Sequence, residues 1–226
     1  MNKHKALVSA FDAIEFADNP ETRCPCVLLL DTSGSMDGEK IAALNSGLKA
    51  FSAALNEDAL AASRVEVAVV TFGPVHLAQD WMVARNYEPE RLTAQHATPM
   101  GQAILEAISL VEDRKATYRA HGIGHYRPWI FLITDGEPTD EIREAALAVQ
   151  QGEEEKRFAF FAVGVDGAQM DILNGISSRQ ALKLRGLQFE SLFKWLSSSM
   201  QALSRSHSGQ ITLTNPTAPG GWASID

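Results

Sequence analysis

Residues 26–36, CVLLLDTSGSM, contain the feature that decides the fold. The first five residues form a continuous apolar run that stops at Asp31, and such a run is typical of a strand covered on both faces, as in a parallel sheet. The composition of residues 31–35 predicts a turn. Apolar residues then recur at intervals of three and four from Ile41 to Leu55, which predicts an amphipathic helix. A buried strand, a turn and a helix are the repeating unit of an α/β domain.

The same alternation continues along the chain. Apolar or β-branched runs predict further strands at residues 64–72, 129–134, 158–165 and 181–184, with an antiparallel edge strand at 75–81. Helical spacing or helix-forming composition predicts helices at residues 98–111, 140–151 and 189–203. We therefore predict a three-layer, doubly wound α/β fold of Rossmann-like type. Its sheet is mostly parallel, with one antiparallel edge strand and helices on both faces.

Composition and charge exclude several classes of protein. The 226 residues allow one large domain or two small ones, and the 45% hydrophobic content supports a folded core. Lys and Arg number 20 against 28 Asp and Glu, which gives a net charge of −8. An acidic chain is poorly suited to bind phosphate backbones or anionic lipids. We predict no nucleic-acid partner and no membrane partner.

The lack of a signal-peptide pattern in residues 1–10 and the spacing of the cysteines predict a reducing compartment. No apolar run approaches the ~18–20 residues that span a bilayer, and residues 1–10 lack the apolar block of a signal peptide. We therefore expect a cytoplasmic protein. The two cysteines, Cys24 and Cys26, flank Pro25 and are expected to be reduced thiols, because a bridge so short would be strained.

Oxygen-bearing side chains follow the predicted strands. Two apolar runs end in an aspartate, Asp31 and Asp135, and hydroxyl residues Ser33, Ser35 and Thr98 lie in neighbouring turns. In α/β folds, ligands bind at the carboxyl ends of the strands. Carboxylate and hydroxyl oxygens suit Mg²⁺, with Mn²⁺ or Ca²⁺ compatible, rather than zinc or copper. If the hydroxyls bind directly, their neutrality leaves the ion electrophilic, so it would favour a carboxylate from another molecule.

Three motifs in this order carry a family resemblance. VLLLDTSGSM at 27–36, TPMG at 98–101 and IFLITDGEPTD at 130–140 resemble a von Willebrand factor A (VWA) domain with a metal-ion-dependent adhesion site. The longer stretches RCPCVLLLDTSGSM at 23–36, TPMGQAI at 98–104 and YRPWIFLITDGEPTD at 126–140 resemble the bacterial TerY-like proteins of the tellurium-resistance group. The resemblance covers roughly residues 24–203.

The resemblance implies roles for the five site residues. Ser33, Ser35 and Thr98 would be direct metal ligands, and Asp31 and Asp135 would bind directly or through water. It implies a non-catalytic module that binds a partner protein through the cation, with an Asp or Glu of the partner as the last ligand. The implied partner is a kinase or phosphatase of a bacterial stress-response or tellurium-resistance system.

Two alternatives remain on sequence grounds. One is a Mg²⁺-dependent phosphohydrolase with Asp31 as nucleophile, although the haloacid-dehalogenase type needs a second acid where this chain has Ser33. The other is a structural subunit whose metal only stabilises the fold. We expect no enzymatic activity.

The expected organisation is one VWA domain with two appendages. We predict an N-terminal extension at residues 1–22, the VWA domain at 23–206 and a C-terminal tail at 207–226. Trp222 in the tail is expected to pack back on the domain, with recruitment of a partner as the alternative.

Overall fold

Seven strands and six helices make up the fold in a computed structural model that describes residues 14–225. The strands are β1 (Cys24–Asp31), β2 (Val65–Phe72), β3 (Val75–Val83), β4 (Trp129–Thr134), β5 (Ala159–Gly164), β6 (Leu182–Leu184) and β7 (Ala223–Ser224). The helices are α1 (Glu39–Asn56), α2 (Ala59–Arg64), α3 (Met100–His121), α4 (Arg143–Glu154), α5 (Met170–Ile176) and α6 (Phe189–Arg205). Residues 14–18 form a further helical segment. The first thirteen residues of the predicted N-terminal extension lie outside the described residues.

The strands form one mixed sheet with the order β3-β2-β1-β4-β5-β6-β7. Neighbouring strands from β2 to β6 are parallel, and β3 pairs antiparallel with β2, as the sequence predicted. β7 adds a second antiparallel edge beside β6 that the sequence did not predict. Two residues are too short to show the alternation of a strand.

The residues of β1 alternate between the two faces of the sheet. Leu28 and Leu30 pack in the core on the side of α1 and α6, whereas Val27 and Leu29 pack in the core on the side of α3 and α4. All four side chains are fully buried. Helices cover both faces of the sheet, so neither face of β1 meets water. This is why its apolar run is continuous rather than alternating.

Some element boundaries differ from the sequence prediction. α2 was not predicted, because six residues with two buried alanines show little periodicity. α4 begins at Arg143 rather than at Asp140. The Asp140 carboxylate instead accepts hydrogen bonds from Gly101 N (3.0 Å) and Gln102 N (2.8 Å). It caps the start of α3, a helix distant from it in sequence.

Both cysteines of the chain are buried thiols. Cys24 and Cys26 are free and fully buried in β1, and burial raises the pKa of the Cys26 thiol to about 12. These thiols are therefore protonated at neutral pH.

Among the helices of residues 14–225, none is long and apolar enough to cross a membrane.

Candidate metal centre

The loop that follows β1 is fixed by backbone hydrogen bonds to two neighbouring segments. Thr32 N donates to Phe72 O at the end of β2 (3.1 Å). From the segment before α3, Gln95 N donates to Thr32 O (2.7 Å). Gly34 N donates to His96 O of that same segment (3.1 Å). These contacts hold the loop at the carboxyl end of the central strand.

Ser33 and Ser35 connect the two aspartates of the candidate site through one backbone N–H and two hydroxyls. Ser33 N donates to Asp31 Oδ1 (2.8 Å), and Ser33 Oγ lies 3.0 Å from Ser35 Oγ. Ser35 Oγ donates to Asp135 Oδ1 (2.6 Å). Because the Ser35 proton points to Asp135, Ser35 Oγ accepts from Ser33 Oγ, and one lone pair of the Ser35 oxygen remains available to a cation.

Asp31 is a fully buried carboxyl group. Burial is the largest cause that raises its pKa, and the charge of Asp135 acts in the same direction. Hydrogen bonds from Ser33 and Thr134 oppose that rise in the pKa. Thr134 Oγ1 donates to Asp31 Oδ2 (2.5 Å) and accepts from Gly136 N (3.1 Å). The negative charge of Asp135 therefore disfavours ionisation of the buried Asp31 carboxyl group.

Thr98 approaches the aspartates across Gly136. A Cβ built at Gly136 would lie 3.2 Å from Thr98 Oγ1 and 3.5 Å from Asp31 Oδ2. The missing side chain therefore leaves a space between the threonine hydroxyl and the carboxylate. Thr98 itself is positioned by Thr139, which accepts from Thr98 N through Oγ1 (3.1 Å) and donates through its own N to Thr98 O (2.9 Å).

The structure brings all five predicted residues to one place at the carboxyl edge of the sheet. Asp31, Ser33, Thr98 and Asp135 are each at most 6% exposed. Ser35 is exposed. The cluster is therefore closed on most sides and open at Ser35.

Lys40 is a sixth residue at the site and joins Asp31 and Asp135 as a charged group, and sequence reasoning missed it. Its Nζ donates to Asp135 Oδ2 (2.5 Å) and to Asp166 O (2.9 Å). A lysine in the first turn of a helix gives no signal that it points to a distant aspartate. Thr134 was missed for a similar reason, since it lies inside an apolar strand. Gly136 lies inside the motif at 130–140, but the sequence assigns it no role at the site.

The donor set fits a hard divalent cation. The five residues offer two carboxylates and three hydroxyls, which are the oxygen ligands that Mg²⁺ and Ca²⁺ prefer. Within residues 14–225, no three His, Cys, Asp or Glu side chains gather as a metal cluster of the kind that zinc uses. The space at Gly136 adds a cradle that a side chain would fill.

The family model of the von Willebrand factor type A domain matches residues 26–191, well over half of the chain. The chain belongs to the von Willebrand factor type A family. The VWA assignment made from the three motifs is thereby confirmed, and the adhesion-site and TerY-like parts of it remain predictions. VWA domains often serve as adhesion or protein-interaction modules.

Two solved structures with a similar fold are a bacterial pilus adhesin and a mussel byssus protein. The pilus adhesin SpaC from Lactobacillus rhamnosus GG, in an open conformation, superposes with a TM-score of 0.62 at 13% identity, over 80% of this chain and 30% of the adhesin chain. Proximal thread matrix protein 1 from the mussel byssus superposes with a TM-score of 0.53 at 16% identity, over 80% of this chain and 48% of that protein's chain. This chain therefore spans less than half the length of either neighbour, and at these identities the likeness shows the fold alone. No curated protein sequence matches the chain.

Proposed function

We propose that this VWA domain is a non-catalytic module that binds a partner protein through a divalent cation. Mg²⁺ is the proposed ion, and Asp31, Ser33, Ser35, Thr98 and Asp135 are its proposed ligands. The observation that carries the proposal is the chain of hydrogen bonds through Ser33 and Ser35 between two buried aspartates, with its open side at Ser35. Mn²⁺ and Ca²⁺ are compatible with the same oxygens.

The ligand set explains why a bound ion would bind an acidic partner. Three of the five ligands are neutral hydroxyls, so the ion keeps much of its charge. When bound, the metal would supply a Lewis-acidic position for one more oxygen ligand. A carboxylate of a partner Asp or Glu fits that position, and the exposure of Ser35 gives it access.

A groove of about 600 Å³ borders the site and offers room for the partner's flanking residues. Three basic residues line it together with three acidic ones: Lys40, Lys183 and Arg185, and Asp37, Glu39 and Asp166. Its charge is mixed, so the ion rather than the groove would supply the preference for an acidic residue.

Catalysis fits the same site less well. A phosphohydrolase with Asp31 as nucleophile needs that carboxylate to face a substrate. Asp31 is instead buried, with Oδ1 bonded to Ser33 N and Oδ2 to Thr134. The position two residues later holds Ser33 rather than an acid. We propose that the protein is not an enzyme.

The proposed biological setting rests on the longer stretches around the three motifs, which resemble TerY-like proteins. On that basis we propose a cytoplasmic protein of a bacterial stress-response or tellurium-resistance system. A kinase or phosphatase of that system is the proposed partner.

The test has two steps, metal binding and metal-dependent capture. Calorimetry with Mg²⁺ and Mn²⁺ should show one site, and Ser33→Ala combined with Ser35→Ala should abolish it. Ser46→Ala is the matched control, because Ser46 is an exposed serine on α1 whose hydroxyl bonds only its own helix at Ala42 O. Capture of a partner should require both the metal and the two serines. Binding that ignores chelator and both substitutions would contradict the proposal.

Thr98→Ala separates the interaction role from a structural one. The hydroxyl is lost while the backbone bonds to Thr139 can persist. We expect loss of capture with little change in Tm. A large drop in Tm would favour a metal that only stabilises the fold.

A further inference from the structure

Lys40 occupies an unfavourable place for a cation unless something compensates it. It is the second residue of α1, in the first turn, where the helix dipole is positive. Its ammonium group is held there by the Asp135 carboxylate and the Asp166 carbonyl. The Asp135 side chain is fully buried, and that of Lys40 is 26% exposed. The ion pair is therefore largely shielded from water.

The pair uses an oxygen that a metal site would share. Asp135 Oδ1 accepts from Ser35 and Oδ2 accepts from Lys40. Asp135 thus already has a cationic partner of its own. A divalent ion that uses this carboxylate, directly or through water, has to share it with the ammonium group or displace that group.

Formal charges show that the lysine acts in two opposite directions. Asp31 and Asp135 contribute formal charges of −2 and Lys40 contributes +1, so these three groups of the site sum to −1. A divalent ion brings that sum to +1, whereas without the lysine it would be 0. The lysine therefore repels the incoming cation, yet leaves the loaded site positive toward an anion.

We infer that Lys40 is an internal counter-ion of the metal centre. It weakens the binding of the divalent ion and strengthens the binding of a carboxylate to the loaded site. This inference rests on the proposed metal-dependent function and assigns to Lys40 the tuning of both steps. Metal binding and acidic-partner binding are thereby coupled, since a loaded site without an anion carries excess positive charge.

Two neutral variants test the first effect. Lys40→Gln and Lys40→Met remove the charge, and methionine keeps an apolar stem of similar length. In both variants the charged hydrogen bond from Lys40 to Asp135, which competes with the ion, is lost. We therefore expect the Mn²⁺ affinity, measured by calorimetry at fixed ionic strength, to rise about 10- to 100-fold. Lys40→Arg keeps the charge and should stay near the unaltered protein.

Lys49→Gln is the matched control. It makes the same change in net charge on an exposed position of α1. Nine residues separate the two lysines, about 13 Å along the helix axis. Its Mn²⁺ affinity should stay within about twofold, since exposed charges beyond the Debye length of roughly 8–10 Å are largely screened.

Acetate serves as the carboxylate probe for the second effect. Its relaxation by protein-bound Mn²⁺ reports binding to the loaded site. With both proteins saturated by Mn²⁺, Lys40→Gln should bind acetate several-fold more weakly than the unaltered protein or Lys49→Gln.

The outcomes separate this inference from the proposed function. If the unaltered protein binds Mn²⁺ and the neutral variants bind it equally or more weakly, Lys40 is only a structural link between loops and the inference is wrong. Unfolding of both neutral variants, checked by circular dichroism, would overturn it as well. If neither the unaltered protein nor the neutral variants bind Mn²⁺, the proposed function fails and the inference fails with it. If acetate binds to the Mn²⁺-loaded Lys40→Gln variant as tightly as to the loaded unaltered protein, the second effect is overturned.

Discussion

Gly136 shows how a single missing side chain shapes the candidate metal centre. The glycine follows Asp135 in the turn after β4, and its backbone conformation is one that alanine can adopt. Contacts rather than backbone strain therefore set the cost of a substitution. A Cβ there would press on the Thr98 hydroxyl at 3.2 Å, tighter than an ordinary van der Waals contact.

We predict that Gly136→Ala impairs metal binding more than folding. Displacing a group that orients metal ligands costs about 10- to 100-fold in affinity, so we expect a loss of that size for Mn²⁺ in calorimetry. Tm should change by only a few degrees. Gly175→Ala is the control, because within residues 14–225 no atom lies within 4 Å of a Cβ built there. Equal Mn²⁺ affinity in the two variants would show that metal binding does not need the space at Gly136.

The amino ends of β1 and β2 hold a buried charged cluster, far along the strands from the candidate metal centre. Glu66 of β2 is fully buried and accepts from Arg23 Nε (2.7 Å) and from Arg114 Nε of α3 (2.9 Å). The Tyr118 hydroxyl of α3 also donates to this carboxylate. Arg23 and Arg114 both lie near the ring of Phe16 in the 14–18 segment. One carboxylate thus joins two strands, a helix and the N-terminal segment.

Loss of the Glu66 charge should destabilise the whole domain. Breaking a buried ion pair from one side costs about 3–5 kcal/mol, because the partner charge stays buried. We expect Glu66→Gln to lower the free energy of unfolding in urea by that amount. Glu190→Gln removes the exposed partner of Lys194 on α6, where both side chains are over 60% exposed, and should cost under about 0.5 kcal/mol. Similar urea midpoints for the two variants would show that the cluster contributes little.

Prediction from sequence succeeded where a local pattern carries the information. The spacing from Ile41 to Leu55 predicted α1, and those residues face the core. The motifs named five residues that lie together at the sheet edge, and their role as metal ligands stays a prediction. Contacts between distant residues left no such signal: Lys40 finds Asp135, and Glu66 finds Arg114, only once the sheet has formed. Local patterns predict the longer elements and their order, and tertiary packing decides which isolated charges become partners.

At the scale of the whole molecule, the C-terminal tail completes the sheet. β7 contributes two residues, too few to hold an edge by backbone pairing alone. Trp222, immediately before β7, is 4% exposed and packs edge-on against Trp195 of α6 with ring centroids 5.5 Å apart. Packing of Trp222 back on the domain, as the sequence suggested, is what the structure shows. A buried indole is not available to a partner while the tail stays in place.

We predict that Trp222→Ala releases the tail and leaves the rest of the domain folded. The amide of Arg185 donates to Trp222 O (2.9 Å), so its hydrogen exchange should speed up together with exchange across the tail. Tm should fall by only a few degrees, since the tail packs at one edge and the central strands β1, β2 and β4 do not depend on it. Ile225→Ala, at a side chain 49% exposed, should leave exchange unchanged. Unchanged protection of the Arg185 amide in Trp222→Ala would mean that backbone pairing, rather than the indole, holds the seventh strand.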